Sequence, residues 1–154
     1  MWKRWCLGAL MCASTAGAQI HLGLSGSAGP VGTEGGVHAS VLSAWQGGGR
    51  WRGTLGVSLN TRPSPFRRRP WLRADVTHLR SLGADRYAGV GVGTGLLLSR
   101  ESTAGGLPLA VYSPLLAANL HGVYGAAFGG VDLEGALRLG ARSSVEVRMN
   151  FPLR

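Results

Sequence analysis

The chain has 154 residues, 16 Lys and Arg against seven Asp and Glu, a formal net charge of +9, 26 glycines and two cysteines. That length suffices for one domain with a sizeable core. Abundant glycine without a collagen-like period argues against a bundle of long helices and leaves β-structure open, while the basic excess favours anionic partners such as lipid phosphates.

The N-terminus reads as a secretory signal peptide over residues 1–18. "MWKRW" supplies positive charge through Lys3 and Arg4, "CLGALMCASTAG" is a short apolar stretch, and Ala16-Gly17-Ala18 sets small residues before a cut at Gln19. The stretch is too short to span a bilayer, which takes about 20 residues. A lipoprotein cut before Cys12 is the competing reading, but the preceding "ALM" lacks the small residue expected there. Cys6 and Cys12 both fall in this peptide, so the exported domain, residues 19–154, is expected to have neither disulfides nor thiol chemistry. Removing Lys3 and Arg4 from the 16 basic residues leaves 14, all of them Arg.

From Gln19 onward the recurring period is two. Ile20, Leu22 and Leu24 alternate with His21, Gly23 and Ser25. Val37, Ala39, Val41 and Trp45 alternate with His38, Ser40 and Ala44, with Leu42 out of place. Trp51, Gly53, Leu55, Val57 and Leu59 alternate with Arg50, Arg52, Thr54, Gly56, Ser58 and Asn60. Leu72, Ala74 and Val76 alternate with Arg73, Asp75 and Thr77. Ala88, Val90, Val92, Leu96 and Leu98 alternate with Tyr87, Gly89, Gly91, Gly93 and Gly95. Leu116, Ala118 and Leu120 alternate with Leu115, Ala117, Asn119 and His121. Val131, Leu133, Gly135, Leu137 and Leu139 oppose Asp132, Glu134, Ala136 and Arg138. Val145, Val147, Met149 and Phe151 alternate with Glu146, Arg148 and Asn150. A strand puts each set on one face, whereas a helix at about 100° per residue would separate Leu133 and Leu137 from Val131 and Leu139.

Eight such segments predict an all-β fold, an eight-stranded antiparallel up-and-down barrel. The connections after strands two, four and six ("QGGG", "RSLGAD", "GAAFG") are short and glycine-rich. Those after strands one, three and five ("PVGTEG", "TRPSPFRRRP", "SRESTAGGL") are mostly longer and more polar, and the last, near "GARSS", is short. Short turns on one side and longer loops on the other match a transmembrane barrel. Trp45, Trp51, Tyr124, Phe128 and Phe151 are then expected at one periplasmic girdle, with Trp71, Phe66 and Tyr112 marking the opposite rim. An uncharged run, Pro108 to Val131, has the length of a membrane helix, but Pro114, Asn119, His121 and several glycines speak against one.

In a membrane barrel the apolar face meets lipid and the polar face fills the lumen. Arg52, Arg73, Asp75, Asp132, Glu134, Arg138, Glu146 and Arg148 are therefore expected to pair inside, arginine offering bidentate geometry to carboxylates. Gly89, Gly91, Gly93 and Gly95 would leave room for neighbouring arginines. "GVGVGTG" does not meet the dinucleotide-loop pattern, which requires a sixth-position glycine.

With these features the chain resembles the small eight-stranded outer-membrane barrels, the OmpA-like and OmpX-like transmembrane domains. The resemblance is carried by "YAGVGVGTGLLL" (Tyr87–Leu98), "FGGVDLEGALRLGA" (Phe128–Ala141) and "VEVRMNF" (Val145–Phe151). The last is similar to the C-terminal signal read by the barrel-assembly machinery, although Pro152, Leu153 and Arg154 follow Phe151 here. The resemblance implies residence in the outer membrane, that machinery as a partner, and a structural or surface-interaction role without an open general pore.

Other chemistry has thinner support. Some barrels of this size modify lipid A with a His and a Ser or acidic partner facing the bilayer. Here His21, His38 and His121 fall on the inward parity, His78 falls on the outward one, and none has an acid at useful spacing. A metal site from His38 and His121 would need further ligands. Arg62, Arg67, Arg68 and Arg69 form a basic outer loop that could meet lipid phosphates or an anionic surface polymer. No nucleic-acid motif is present. The expectation is no enzyme and no cofactor, with a soluble exported barrel binding a small apolar ligand, or a lipid A-modifying barrel, as the alternatives.

Overall fold

The computed structural model describes residues 17–30, 32–60, 70–83, 85–97, 118–140 and 142–153. Eight strands close into one antiparallel barrel in chain order: β1 (Gln19–Gly29), β2 (Gly32–Leu42), β3 (Gly49–Asn60), β4 (Pro70–Gly83), β5 (Arg86–Leu97), β6 (Asn119–Phe128), β7 (Val131–Gly140) and β8 (Ser144–Leu153). The closing seam pairs β1 with β8, from Ile20 opposite Leu153 to Ala28 opposite Val145. Closure leaves no sheet edge, so backbone amides and carbonyls along the wall are bonded within it.

The alternation sorts side chains to opposite sides of the wall. Val90 is 70% exposed and Leu120 64%, while Glu134 is 2% exposed and Arg138 4%. Leu22, Leu55, Leu137, Val147 and Phe151 also face outward. The interior is predominantly polar, with a buried apolar set of Leu42, Leu79, Tyr87, Val123 and Ala136. Leu42, out of step by hydropathy, is in step by geometry: it is an inward residue and is only 1% exposed.

Several predicted boundaries shift. "PVGTEG" is not a six-residue loop, because β2 starts at Gly32 and puts Glu34 in the sheet, paired with Ser27 and Asn60. β2 ends at Leu42, three residues before Trp45. β4 extends through "RSLG" to Gly83, leaving positions 84 and 85 before β5 begins at Arg86, with Asp85 at φ 60°. β6 begins at Asn119 and runs through "GAAF", which resembles a turn by composition. The glycine there has a packing cause: a Cβ on Gly125 would lie 2.5 Å from Cζ of Tyr87. The uncharged run considered as a helix is strand from Asn119 to Phe128. No helix of the described residues is long and apolar enough to cross a membrane.

Two hairpins show why glycine pairs sit at turns. Gln46 and Gly49 exchange both backbone hydrogen bonds, at 2.8 and 3.0 Å, around Gly47 and Gly48 with φ of 58° and 79°. Gly129 and Gly130, at φ 57° and 91°, join β6 to β7. Two consecutive positive φ values match the right-handed strand twist and favour glycine.

Candidate functional site

The lumen holds the densest chemistry of the chain. Parity turns the charged side chains of β4, β7 and β8 inward, and strand register, as in Glu134 opposite Arg148, brings them within reach of one another. Arg138 donates to both oxygens of Asp75, at 2.9 and 2.6 Å, and its Nε donates to Glu146 at 2.6 Å. Arg148 reaches Asp75 at 3.2 Å and Glu134 at 3.4 Å, and its Nε lies 3.1 Å from Glu146. Arg52, from β3, forms a bidentate pair with Glu134 at 2.5 and 3.0 Å, joined by the Tyr87 hydroxyl at 3.3 Å. Towards the other end, Glu34 accepts from Arg73, Arg142 and, at 3.1 Å, the Ser58 hydroxyl. Arg73 also lies 3.6 Å from Glu146, which links the two groups.

Each of Glu34, Asp75, Glu134 and Glu146 thus meets at least two arginines. Charges removed from water are tolerated only with such close partners and hydrogen bonds. The glycines of β5 make the room. A Cβ on Gly93 would lie 2.0 Å from Asp75 Oδ1, one on Gly91 would lie 2.5 Å from His121 Nε2, and one on Gly89 would lie 2.7 Å from Leu79 Cδ2. The space is therefore taken by Asp75, His121 and Leu79 rather than directly by arginines, and Asp75 in turn holds Arg138.

Of the eight lumen charges expected from sequence, Arg52, Arg73, Asp75, Glu134, Arg138, Glu146 and Arg148 lie in one connected network. Asp132 stands apart near the β6–β7 turn, with His21 Nδ1 at 3.6 Å. Glu34, Arg142 and Arg50 were absent from the expected set. Arg50 is buried, donates to Gln19 at 3.3 Å and stacks over Trp45 at 4.4 Å. Parity would have found them: Glu34 lies two steps of two before His38, and Arg142 one step before Ser144.

The inward histidines make polar contacts. His38 Nε2 is 2.7 Å from Asn150 Oδ1, and His121 lies between Thr77 at 3.0 Å and Asn119 at 3.3 Å. His78 faces outward against Trp51, with ring centroids 4.8 Å apart. Among the described residues no three His, Cys, Asp or Glu side chains are placed to hold a metal ion.

The five aromatics expected at the short-turn rim, Trp45, Trp51, Tyr124, Phe128 and Phe151, are all exposed and lie at different distances from their strand ends. Trp51 and Phe128 are exposed on the outer face beside turns. Phe151 lies two residues before the end of β8, and Tyr124 lies four residues inside β6 rather than closing it. Trp45 belongs to the β2–β3 turn and has one face covered by Arg50. Trp71 has inward parity and lies under the Arg142 guanidinium at 4.0 Å, so it lines the lumen mouth. Phe66, Tyr112, Arg62, Arg67, Arg68 and Arg69 lie outside the described residues, as does nearly all of the signal-peptide segment.

A cavity of about 50 Å³ opens at that mouth, lined by Glu34, Trp71, Arg73, Asn119, Arg138 and Arg142 among others. Another of about 10 Å³ touches His38, Asp75 and Glu146. At roughly 10–15 Å³ per water, each has room for at least one water.

No protein-family model matches the sequence, and no curated protein is similar to it. Solved structures are similar in shape. The neisserial surface protein A matches with a TM-score of 0.58 at 12% identity, over 86% of this chain and 92% of that one. The Yersinia pestis outer membrane protein Ail, solved in a phospholipid bilayer nanodisc, matches at 0.56 with 6% identity, over 89% of this chain and 100% of that one. A designed transmembrane β-barrel matches at 0.52 with 8% identity, over 88% and 95% of the two chains. At these identities the likeness is one of fold: the chain has the fold of the eight-stranded outer-membrane β-barrels.

Proposed function

We propose that the protein is an integral outer-membrane barrel with a structural or surface-interaction role, exported by a signal peptide cut before Gln19. The observation that carries this reading is the sorting across the wall, with Val90, Leu120 and Val147 outside and Glu134, Arg138 and Glu146 inside. An apolar outer band around a closed barrel is stable in hydrocarbon and costly in water. A soluble barrel binding an apolar ligand would carry Leu and Val inside, the reverse arrangement. The barrel-assembly machinery is the partner expected for insertion.

In this reading the lumen is a packed polar plug and carries no general flux. Doubly paired carboxylates and narrow cavities support that, since eight strands leave an interior about wide enough for side chains. The protein is also proposed to turn over no substrate and to need no cofactor. The inward histidines are enclosed with Asn150, Thr77 and Asp132, and the outward His78 packs on Trp51. Surface interaction would fall to the basic segment containing Arg62, Arg67, Arg68 and Arg69, whose charge suits lipid phosphates or an anionic surface polymer.

Cell fractionation with gel mobility tests the reading. The protein is expected in the outer-membrane fraction, as a compact band that slows on boiling, with Gln19 as its first residue. Recovery as a detergent-free soluble monomer would overturn it. Deacylation of labelled lipid A that disappears in His121→Ala would overturn the absence of turnover.

A further inference from the structure

Most described arginines turn inward and are paired, but two do not. Arg80 on β4 and Arg86 on β5 share the outward parity of Val76 and Val90 and are exposed. Neither side chain makes an ion pair or hydrogen bond among the described residues. They lie on neighbouring strands across the β4–β5 ladder: Arg80 pairs with Ala88 and Arg86 with Gly83, with a β-bulge between Ser81 and Gly83 separating the two pairs. Both stand at the short-turn rim. Arg80 pairs with Gly49 at the start of β3, Ser81 N donates to Gly48 O at 2.9 Å, and Arg86 opens its strand opposite Gly83.

We propose that Arg80 and Arg86 form a binding site on the barrel's outer wall for the headgroup of an anionic glycerophospholipid. The site rests on the membrane reading above, which puts this rim at the periplasmic leaflet. Two unpaired guanidinium groups at the edge of an apolar wall suit a phosphodiester at headgroup depth. Trp51, exposed and packed on His78, is an amphipathic interface residue one strand away. Beyond the outward-facing His78, which packs on Trp51, the exposed Val76, Val90 and Val92 form an apolar surface on which an acyl chain can lie. A headgroup with net negative charge is preferred over a zwitterionic one, and salt weakens the preference.

The test is quenching of tryptophan fluorescence by brominated lipid in vesicles, using full-length protein with Trp2, Trp5, Trp45 and Trp71 each replaced by Phe, which leaves Trp51 as the one tryptophan of the sequence. Brominated phosphatidylglycerol is compared with brominated phosphatidylcholine at equal mole fraction. The proposal expects an apparent association at least threefold stronger for phosphatidylglycerol, lost in R80Q/R86Q and largely retained in R80K/R86K. These arginines touch nothing inside the barrel, so the variants keep the fold; unchanged boiling-dependent mobility checks this. Equal quenching by the two lipids, or a preference that survives R80Q/R86Q, would overturn the site and leave the barrel in the membrane. No quenching by either lipid would overturn the site together with the membrane reading.

Discussion

Arg138 and Asp75 lie 63 residues apart in sequence, yet meet through two hydrogen bonds of 2.9 and 2.6 Å inside the barrel, and both side chains are almost fully buried. Asp75 also receives Arg148, and Arg138 also donates to Glu146. The pair is thus the node where β4, β7 and β8 are tied across the lumen, and its stability rests on every charge finding a partner.

Removing one member strands the others. Arg138→Ala and Glu134→Ala are each expected to lower stability by about 3–5 kcal/mol, the usual cost of leaving a buried charge unpaired. Asp132→Asn, at the margin with only His21 at 3.6 Å, is expected to cost about 1 kcal/mol or less. Urea midpoints of the folded barrel in lipid vesicles check the order. Midpoints unmoved by Arg138→Ala would mean the lumen charges are solvated.

The glycines of β5 are expected to be irreplaceable where they face inward. A Cβ at position 91 would lie 2.3 Å from the Val76 carbonyl oxygen and 2.5 Å from His121, so Gly91→Ala should cost about 1–3 kcal/mol. At Gly53 a Cβ meets nothing within 4 Å, so Gly53→Ala should be neutral or slightly stabilising. The same urea titration compares the two, and equal midpoints would contradict the packing described for the lumen.

The period of two makes the fold legible, because a closed wall with lipid on one side and charge on the other imposes that period on every strand. Parity alone puts Arg52, Glu134, Arg138 and Glu146 on the inward faces of their strands. Boundaries are less legible where glycine serves packing. "PVGTEG" and "GAAF" have turn composition. Yet Gly36, just past the first, is a glycine because a Cβ would lie 2.5 Å from the Val57 carbonyl, and Gly125 is one because of the Tyr87 ring. Reading such glycines as turns hides Glu34 and displaces Tyr124 and Phe128. The stacking of Arg50 on Trp45 and of Arg142 on Trp71 depends on which turns fold over which mouth, and strand parity does not encode that.

On the outer wall it is adding a charge, rather than removing one, that is costly. Val92→Arg puts a charge near the middle of β5 on the lipid side and should cost about 2–4 kcal/mol and reduce insertion. Insertion yield into vesicles, read as the boiling-sensitive compact band, reports it. A variant that inserts as well as the original chain would show that position 92 does not face hydrocarbon.

The most direct test of the inside-out wall is collision accessibility of spin labels on single cysteines, in a chain with Cys6 and Cys12 replaced and reconstituted in vesicles. Labels at Val90, Leu120, Leu137 and Val147 should relax strongly with oxygen and weakly with a water-soluble nickel complex. Strong relaxation by the nickel complex at Val90 and Leu137 would put those side chains in water and contradict the account.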